Sequence, residues 1–170
     1  MRKKKKKIGF NIPDPKERLS QIAESISKYR IGEKGVSFHD IRKRKPVFAF
    51  DYLSLNNGYL CFNQKSLDQK DLLGFLEGLK KISSFTYEEM KSNRILRFHS
   101  INLNDSNVSL NPKDFLQVLA PSGRGMTEDE LPTLYQFDLQ YQAAARAVGF
   151  LFKGIFHIVW YDRYHKIYSS

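Results

Sequence analysis

An α+β domain, with helices packed against a largely antiparallel sheet ending in a three-stranded meander, is the architecture this sequence predicts. Three observations carry it. Apolar residues recur at helical spacing in several segments, and short apolar and aromatic runs bounded by turn residues fill the last third of the chain. The order that results is helix, two strands, helix, strand, helix, three strands, which belongs to the α+β class.

After Pro13 and Pro15, the segment Lys16 to Tyr29 sets Leu19, Ile22, Ala23, Ile26 and Tyr29 at helical spacing, the pattern of an amphipathic helix laid on a core. Val47 to Leu53 and Tyr59 to Phe62 are apolar runs separated by Ser54 to Gly58. Asn57-Gly58 favours the positive φ of a tight turn, so the pair reads as a hairpin. Asp68 is placed to cap a helix continuing through Ile82, with Leu72, Leu73, Leu76 and Leu79 as its apolar face. Gly74 and Gly78 weaken that helix, yet glycine at a four-residue interval also admits close contact with a sheet.

Thr86 followed by Glu88 and Glu89 opens a short helix. Ile95 to Ile101 reads as a strand with Leu96, Phe98 and Ser100 on one face and Arg97, His99 and Ile101 on the other. Asn104 to Asn111 is loop, Pro112 to Leu119 a short helix opening on proline, and Pro121 to Pro132 a polar loop containing Gly123 and Gly125. Three strands close the chain, at about Leu134 to Tyr141, Arg146 to Phe152 and Ile155 to Tyr161, the last two joined by Lys153-Gly154.

The 170 residues suit one domain, expected over residues 16–170 behind a basic tail at 1–15. A hydrophobic fraction of 41% against 27% charged is that of a globular protein rather than a disordered one. A single cysteine, Cys61, excludes an intrachain disulfide framework and a polycysteine zinc site, and reads as packed in a strand. No apolar run is long enough for a secretory signal or a membrane span, so the expected location is the cytoplasm, with no membrane partner. The net charge of +10 is confined to the first 50 residues, since those beyond carry as many acidic as basic groups. It arises from Arg2 to Lys7 and from Arg42, Lys43, Arg44 and Lys45, each run a candidate nucleic-acid patch or else a solvated one.

The highest density of groups able to hold a phosphate or move a proton lies at the C-terminus. With a two-residue turn at Lys153-Gly154, Phe150 faces His157, Val148 faces Val159 and Arg146 faces Tyr161. Arg146, His157 and Tyr161 then share one sheet face, while Phe156, Ile158 and Trp160 anchor a core on the other. Asp162, Arg163, Tyr164, His165 and Lys166 follow directly. Such groups suit RNA cleavage by attack of a 2′-hydroxyl on the adjacent phosphate, which needs a base, a donor for the leaving oxygen and a cation for the developing charge, with no metal or other cofactor. His157 or His165 would serve as base or acid and Arg146 as phosphate clamp, with His99 a candidate second imidazole beside Arg97. The competing reading makes the histidines packing or surface residues and Arg146 a sheet salt-bridge partner. Asp51 and His39 are weaker candidates, and no Gly-rich phosphate loop, GxSxG elbow or HExxH motif is present.

The ending Arg146-Ala147-Val148-Gly149-Phe150 to Phe156-His157-Ile158-Val159-Trp160-Tyr161-Asp162-Arg163-Tyr164-His165 resembles the last strands of RelE-like toxins of bacterial toxin-antitoxin pairs. The resemblance covers about the last 30 residues and leaves the first 130 unaccounted for. It implies a helical layer on a small antiparallel sheet, metal-independent cleavage of messenger RNA often on the ribosome, and neutralisation by an antitoxin protein. It also implies that Arg146 is the phosphate-binding arginine and Tyr164 with His165 the terminal aromatic and acid/base pair.

The expected function is therefore a toxin-like endoribonuclease, with Arg97, Arg163 and Lys166 joining the Arg42 to Lys45 run in holding RNA. The alternative is a noncatalytic nucleic-acid-binding or regulatory protein using its basic N-terminal region. A third reading is an interaction protein whose basic head meets an acidic partner.

Overall fold

The computed structural model describes residues 38–55, 60–63, 65, 67–120, 125–139 and 145–168. The basic tail, the expected helix Lys16 to Tyr29, the Asn57-Gly58 turn and Gly123 lie outside these residues. The described elements are α1 (Phe38–Ile41), β1 (Val47–Ala49), α2 (Gln69–Ile82), α3 (Tyr87–Ser92), β2 (His99–Ile101), α4 (Pro112–Leu119), a 3-10 turn (Glu128–Glu130), β3 (Leu134–Asp138), β4 (Arg146–Phe152) and β5 (Ile155–Asp162). Helices with a five-stranded mixed sheet of order β1-β5-β4-β3-β2 make this an α+β fold. β2 to β5 each lie antiparallel to the next, whereas β1 runs parallel to β5. Among the described residues no helix is long and apolar enough to cross a membrane.

Helix starts follow from side chains that satisfy otherwise unpaired N-terminal amides. Asp68, Thr86 and Asn111 each accept from the amide three residues on, and Asp71, Glu89 and Asp114 reciprocate. The face α2 buries differs from the leucine stripe read in the sequence. Leu72, Leu73 and Leu76 are exposed, while Phe75, Gly78, Leu79 and Ile82 meet the sheet. Gly78 decides the rotation, because a Cβ there would stand 2.7 Å from the Leu139 carbonyl oxygen. Glycine lets the helix approach the strand end, and the faces beside it turn inward.

Two further expectations are corrected. Among the described residues, Val47 to Ala49 finds no strand partner in Leu60 to Phe62. The strand ends at Ala49, a turn closes with the Leu53 amide donating to the Phe50 carbonyl, and β1 pairs instead with Ile155 to His157 of β5. The strand expected from Ile95 contracts to His99–Ile101 because Arg97 adopts φ +46°, which no extended strand contains.

The sheet separates two cores. The back face carries α2 and α3 over Phe137, Ala147, Phe156 and Ile158, and the front face carries α4 over Leu134, Val148, Phe150 and Trp160. A bulge sets which residue goes where at the end of β5. Gly149 pairs with Ile158 but Val148 with Trp160, so Val159 is an extra residue and both Val159 and Trp160 join the front core. Tyr161 is thereby turned to the back core, and Arg146 pairs with Asp162 rather than Tyr161. Arg146 and His157 share the front face as expected, but that single extra residue moves Tyr161 to the back and Trp160 to the front, against expectation. The bulge requires Gly149, since a Cβ there would fall 2.0 Å from the His157 carbonyl oxygen.

Candidate functional site

Below the bulge the front face changes from apolar to polar. Asp138, Arg146 and Asp162 stand in register on β3, β4 and β5, so one arginine lies between two carboxylate-bearing strands. Arg146 Nε is 2.7 Å from Asp138 Oδ1, and the Arg146 side chain is 2% exposed. Arg97, on the turn before β2, brings its Nε to 3.8 Å from Asp138 Oδ2 with 61% of its side chain exposed. One carboxylate therefore meets a buried cation and a solvent-facing one. Burial pushes the Asp138 carboxyl above the ordinary carboxylate range, against the opposing pull of Arg146, Arg97, His165 and His99.

Asp162 shapes the segment that covers this row. Its fully buried carboxylate accepts from the amides of Lys166 at 2.7 Å and Ile167 at 3.0 Å, folding the chain back after β5. Ser109 then fixes the returning segment, its amide donating to the Ile167 carbonyl and its hydroxyl to the Lys166 carbonyl. His165 and Tyr168 are thereby brought near enough to Arg146 for its charge to act on both. Burial, and next the Arg146 charge, hold the His165 imidazole below its ordinary value, against Asp162 and Asp138. The Tyr168 ring lies 5.7 Å from His165 and 6.4 Å from His99 between centroids, so one phenol borders both imidazoles.

His99 is held through both nitrogens. Its Nδ1 stands 2.7 Å from the Arg97 carbonyl oxygen, an acceptor only, so Nδ1 carries the proton and donates. Its Nε2 then accepts from Gln136 Nε2 at 3.1 Å, across the β2–β3 pair.

Backbone conformation singles out the same place. Among the described residues three non-glycine residues have positive φ: Lys153 in the β4–β5 turn, and Arg97 at +46° and His165 at +54° in this cluster. Each such conformation costs on the order of 1 kcal/mol and persists where surrounding structure holds it, often at functional sites.

The sequence-predicted residues divide into groups. Arg97, His99, Arg146 and His165 come together. His157 does not join them, lying at the far end of β5, five residues or roughly 16 Å from Asp162 at the usual strand rise. There its Nδ1 is 2.8 Å from Asp51 Oδ1 and its ring stacks on Phe150. The His157 hydrogen bond and charge hold the Asp51 carboxyl below its ordinary range, overcoming the upward push of burial. Arg163 hydrogen-bonds through Nε to Asp71 at the start of α2, and its guanidinium lies over the Tyr164 ring. Both belong to the helix side of the strand end. Lys166 is exposed beside His165.

Lys43, Arg44 and Lys45 are exposed between α1 and β1, and Arg42 reaches to 4.0 Å from Glu88. Arg42 and Glu88 line an open groove of about 410 Å³ with Phe38, His39, Lys91 and Ser92. Sequence reasoning missed Gln136, Asp138 and Tyr168. The parity of β3 and β4 carried a signal for Asp138, a carboxylate opposite Arg146; Tyr168 had none.

Comparison with known proteins finds no match to a protein-family model, to a curated protein or to a solved structure.

Proposed function

We propose that this protein is a metal-independent, toxin-like endoribonuclease whose reaction centre is the Arg97–His99–Arg146–His165 cluster. The observation that carries the reading is that four residues from separate elements, each of a type that 2′-hydroxyl attack requires, converge on Asp138 at one end of the front face. His165, kept neutral by burial and Arg146, is the base that takes the 2′-hydroxyl proton. The 2′-oxygen then bonds to phosphorus as the bond to the 5′-oxygen breaks. Exposed Arg97 neutralises the developing phosphorane charge, and buried Arg146 supplies a fixed field from beneath. His99 and Tyr168 border the same space and bear the groups that return a proton to the leaving 5′-oxygen.

This assignment differs from the one the RelE-like resemblance implies in two respects: Arg97 rather than buried Arg146 meets the phosphate, and the phenol is a different one. Tyr164 packs with Arg163, and Tyr168 is the phenol beside His165. Messenger RNA on the ribosome as substrate, and an antitoxin protein as the neutralising partner, complete the proposal.

The test is the chemistry of the product. Incubation with a labelled RNA in excess chelator should yield fragments ending in a 2′,3′-cyclic phosphate and beginning with a 5′-hydroxyl. Fragments with 5′-phosphates, or cleavage abolished by the chelator, would refute the mechanism.

A second reading is favoured by the exposure of Lys43, Arg44 and Lys45 beside a groove holding His39, Arg42 and Lys91. Here the protein binds nucleic acid through its N-terminal cations without cleaving it.

A further inference from the structure

Gln136 is the one polar side chain that contacts His99 from β3, and its amide is only half used. The residue is 2% exposed; Nε2 donates to His99 Nε2, and Oε1 has no hydrogen-bond partner among the described residues. A buried unmade hydrogen bond is costly, on the order of 1–3 kcal/mol, so an orphaned carbonyl oxygen needs a reason.

We propose that the Gln136 amide is a two-position partner for His99, donating through Nε2 to the neutral imidazole and turning over to accept through Oε1 from the imidazolium. Each ring nitrogen of His99 is then matched in both protonation states. Nδ1 donates to the Arg97 carbonyl throughout, fixing the ring plane. When Nε2 gains a proton it becomes a donor, and a fixed Gln136 N–H would face it donor to donor. Rotation of the amide by 180° replaces that clash with an N–H⁺···O=C hydrogen bond, which is stronger than its neutral counterpart. One end of the amide is unpaired in either position, so the rotation exchanges one orphan for the other.

The groups around His99 set the context in which this exchange works. Asp138 from β3 lies close enough to His99 for the two charges to act on each other, and Arg97 from the preceding turn and Arg146 from β4 both meet that same carboxylate. His165 and Tyr168 approach from the C-terminal segment, with Asp105 acting in turn on Tyr168. An acceptor placed directly on Nε2 matches the donor that His99 presents there once it is protonated. Gln136 is thus a positioning residue. Its use in returning a proton to a leaving oxygen rests on the nuclease reading, but the exchange itself does not.

The experiment is a pH titration of the free, full-length protein by NMR, following the His99 ring nitrogens and the Gln136 side-chain amide. In the wild type the Gln136 amide signals should shift with the same midpoint as His99 Nε2. In Gln136→Met the His99 midpoint should fall by about half a unit or more, because the imidazolium loses a charge-assisted partner worth more than the one the neutral ring loses. If Gln136 were only a donor to neutral His99, the same substitution would raise the midpoint. A rise, no change, or wild-type amide signals that stay flat through the titration would overturn the proposal, and the wild-type arm holds if the variant does not fold. No RNA is present, so failure of the nuclease reading leaves the outcome unaffected.

Discussion

Arg146 and Asp138 are directly opposed on β4 and β3, with Nε 2.7 Å from Oδ1 and the arginine side chain 2% exposed. A cation in that position cannot be removed as if it were a surface phosphate clamp. Taking away one partner leaves a buried charge, at a cost of about 3–5 kcal/mol. Arg146→Ala and Asp138→Asn should each lower the unfolding free energy by that order, read as a fall in the urea midpoint. The double replacement Arg146→Met with Asp138→Leu should lose less than either single change. Near-wild-type unfolding of Arg146→Ala would show that the pair contributes nothing to the fold.

The β5 bulge makes a second, sharper demand. Gly149→Ala drives a methyl group onto the His157 carbonyl, 2.0 Å away, so the bulge must open or the strands must part. The expected loss is about 3 kcal/mol or more, read as a fall in thermal midpoint. Gly78→Ala, at 2.7 Å from the Leu139 carbonyl, should cost less, since the helix can shift by a few tenths of an ångström where a paired strand cannot.

Those two glycines also mark where sequence reading succeeds and where it fails. Alternation assigns faces correctly through Ile158, then one unpaired residue reverses Trp160 and Tyr161, and nothing in the run Ile158-Val159-Trp160 announces it. Glycine within an apolar strand was the available sign. On α2 the leucines at 72, 73, 76 and 79 outnumber the stripe Phe75, Leu79 and Ile82, yet close approach at Gly78 selects the latter. The caps at Asp68 and Thr86, and the last two strands, were legible because they depend on neighbours in sequence. The convergence of Arg97 and His99 with His165 depended on how β2 joins the sheet, which no local pattern encodes.

Acid should silence the site through His165. Its folded-state value lies below the ordinary 6.5, so the neutral base is present at pH 7 and is lost as the pH falls through the folded value. The rate of RNA cleavage should hold level from pH 7 down past 6.5 and decline only below it. The sign of the stability linkage agrees. A histidine lowered by folding takes up its proton more readily when unfolded, so its contribution is complete above 6.5 and diminishes on acidification. An acid limb centred above pH 6.5 would assign the base elsewhere.

Salt separates the Asp138 cluster from the basic run. Replacing exposed Lys43, Arg44 and Lys45 by glutamine should flatten the dependence of RNA binding on log salt by up to about three phosphate contacts, measured by filter binding or anisotropy. Under the nuclease reading, cleavage of saturating RNA survives that replacement. Loss of every RNA effect, with no product from either protein, would favour the binding module.

His165 and Arg97 are the residues on which cleavage depends, and the decisive comparison is of wild type with His165→Gly and Arg97→Ala on one labelled RNA in chelator, alongside their thermal midpoints. Glycine accepts the φ of +54° at position 165 without strain, so that variant should melt close to wild type. Both folded variants should lose cleavage by about a hundredfold or more, the order expected for a proton-transfer group or a charge-stabilising donor. Undiminished cleavage by folded His165→Gly, or no cleavage by the wild type, would contradict that dependence.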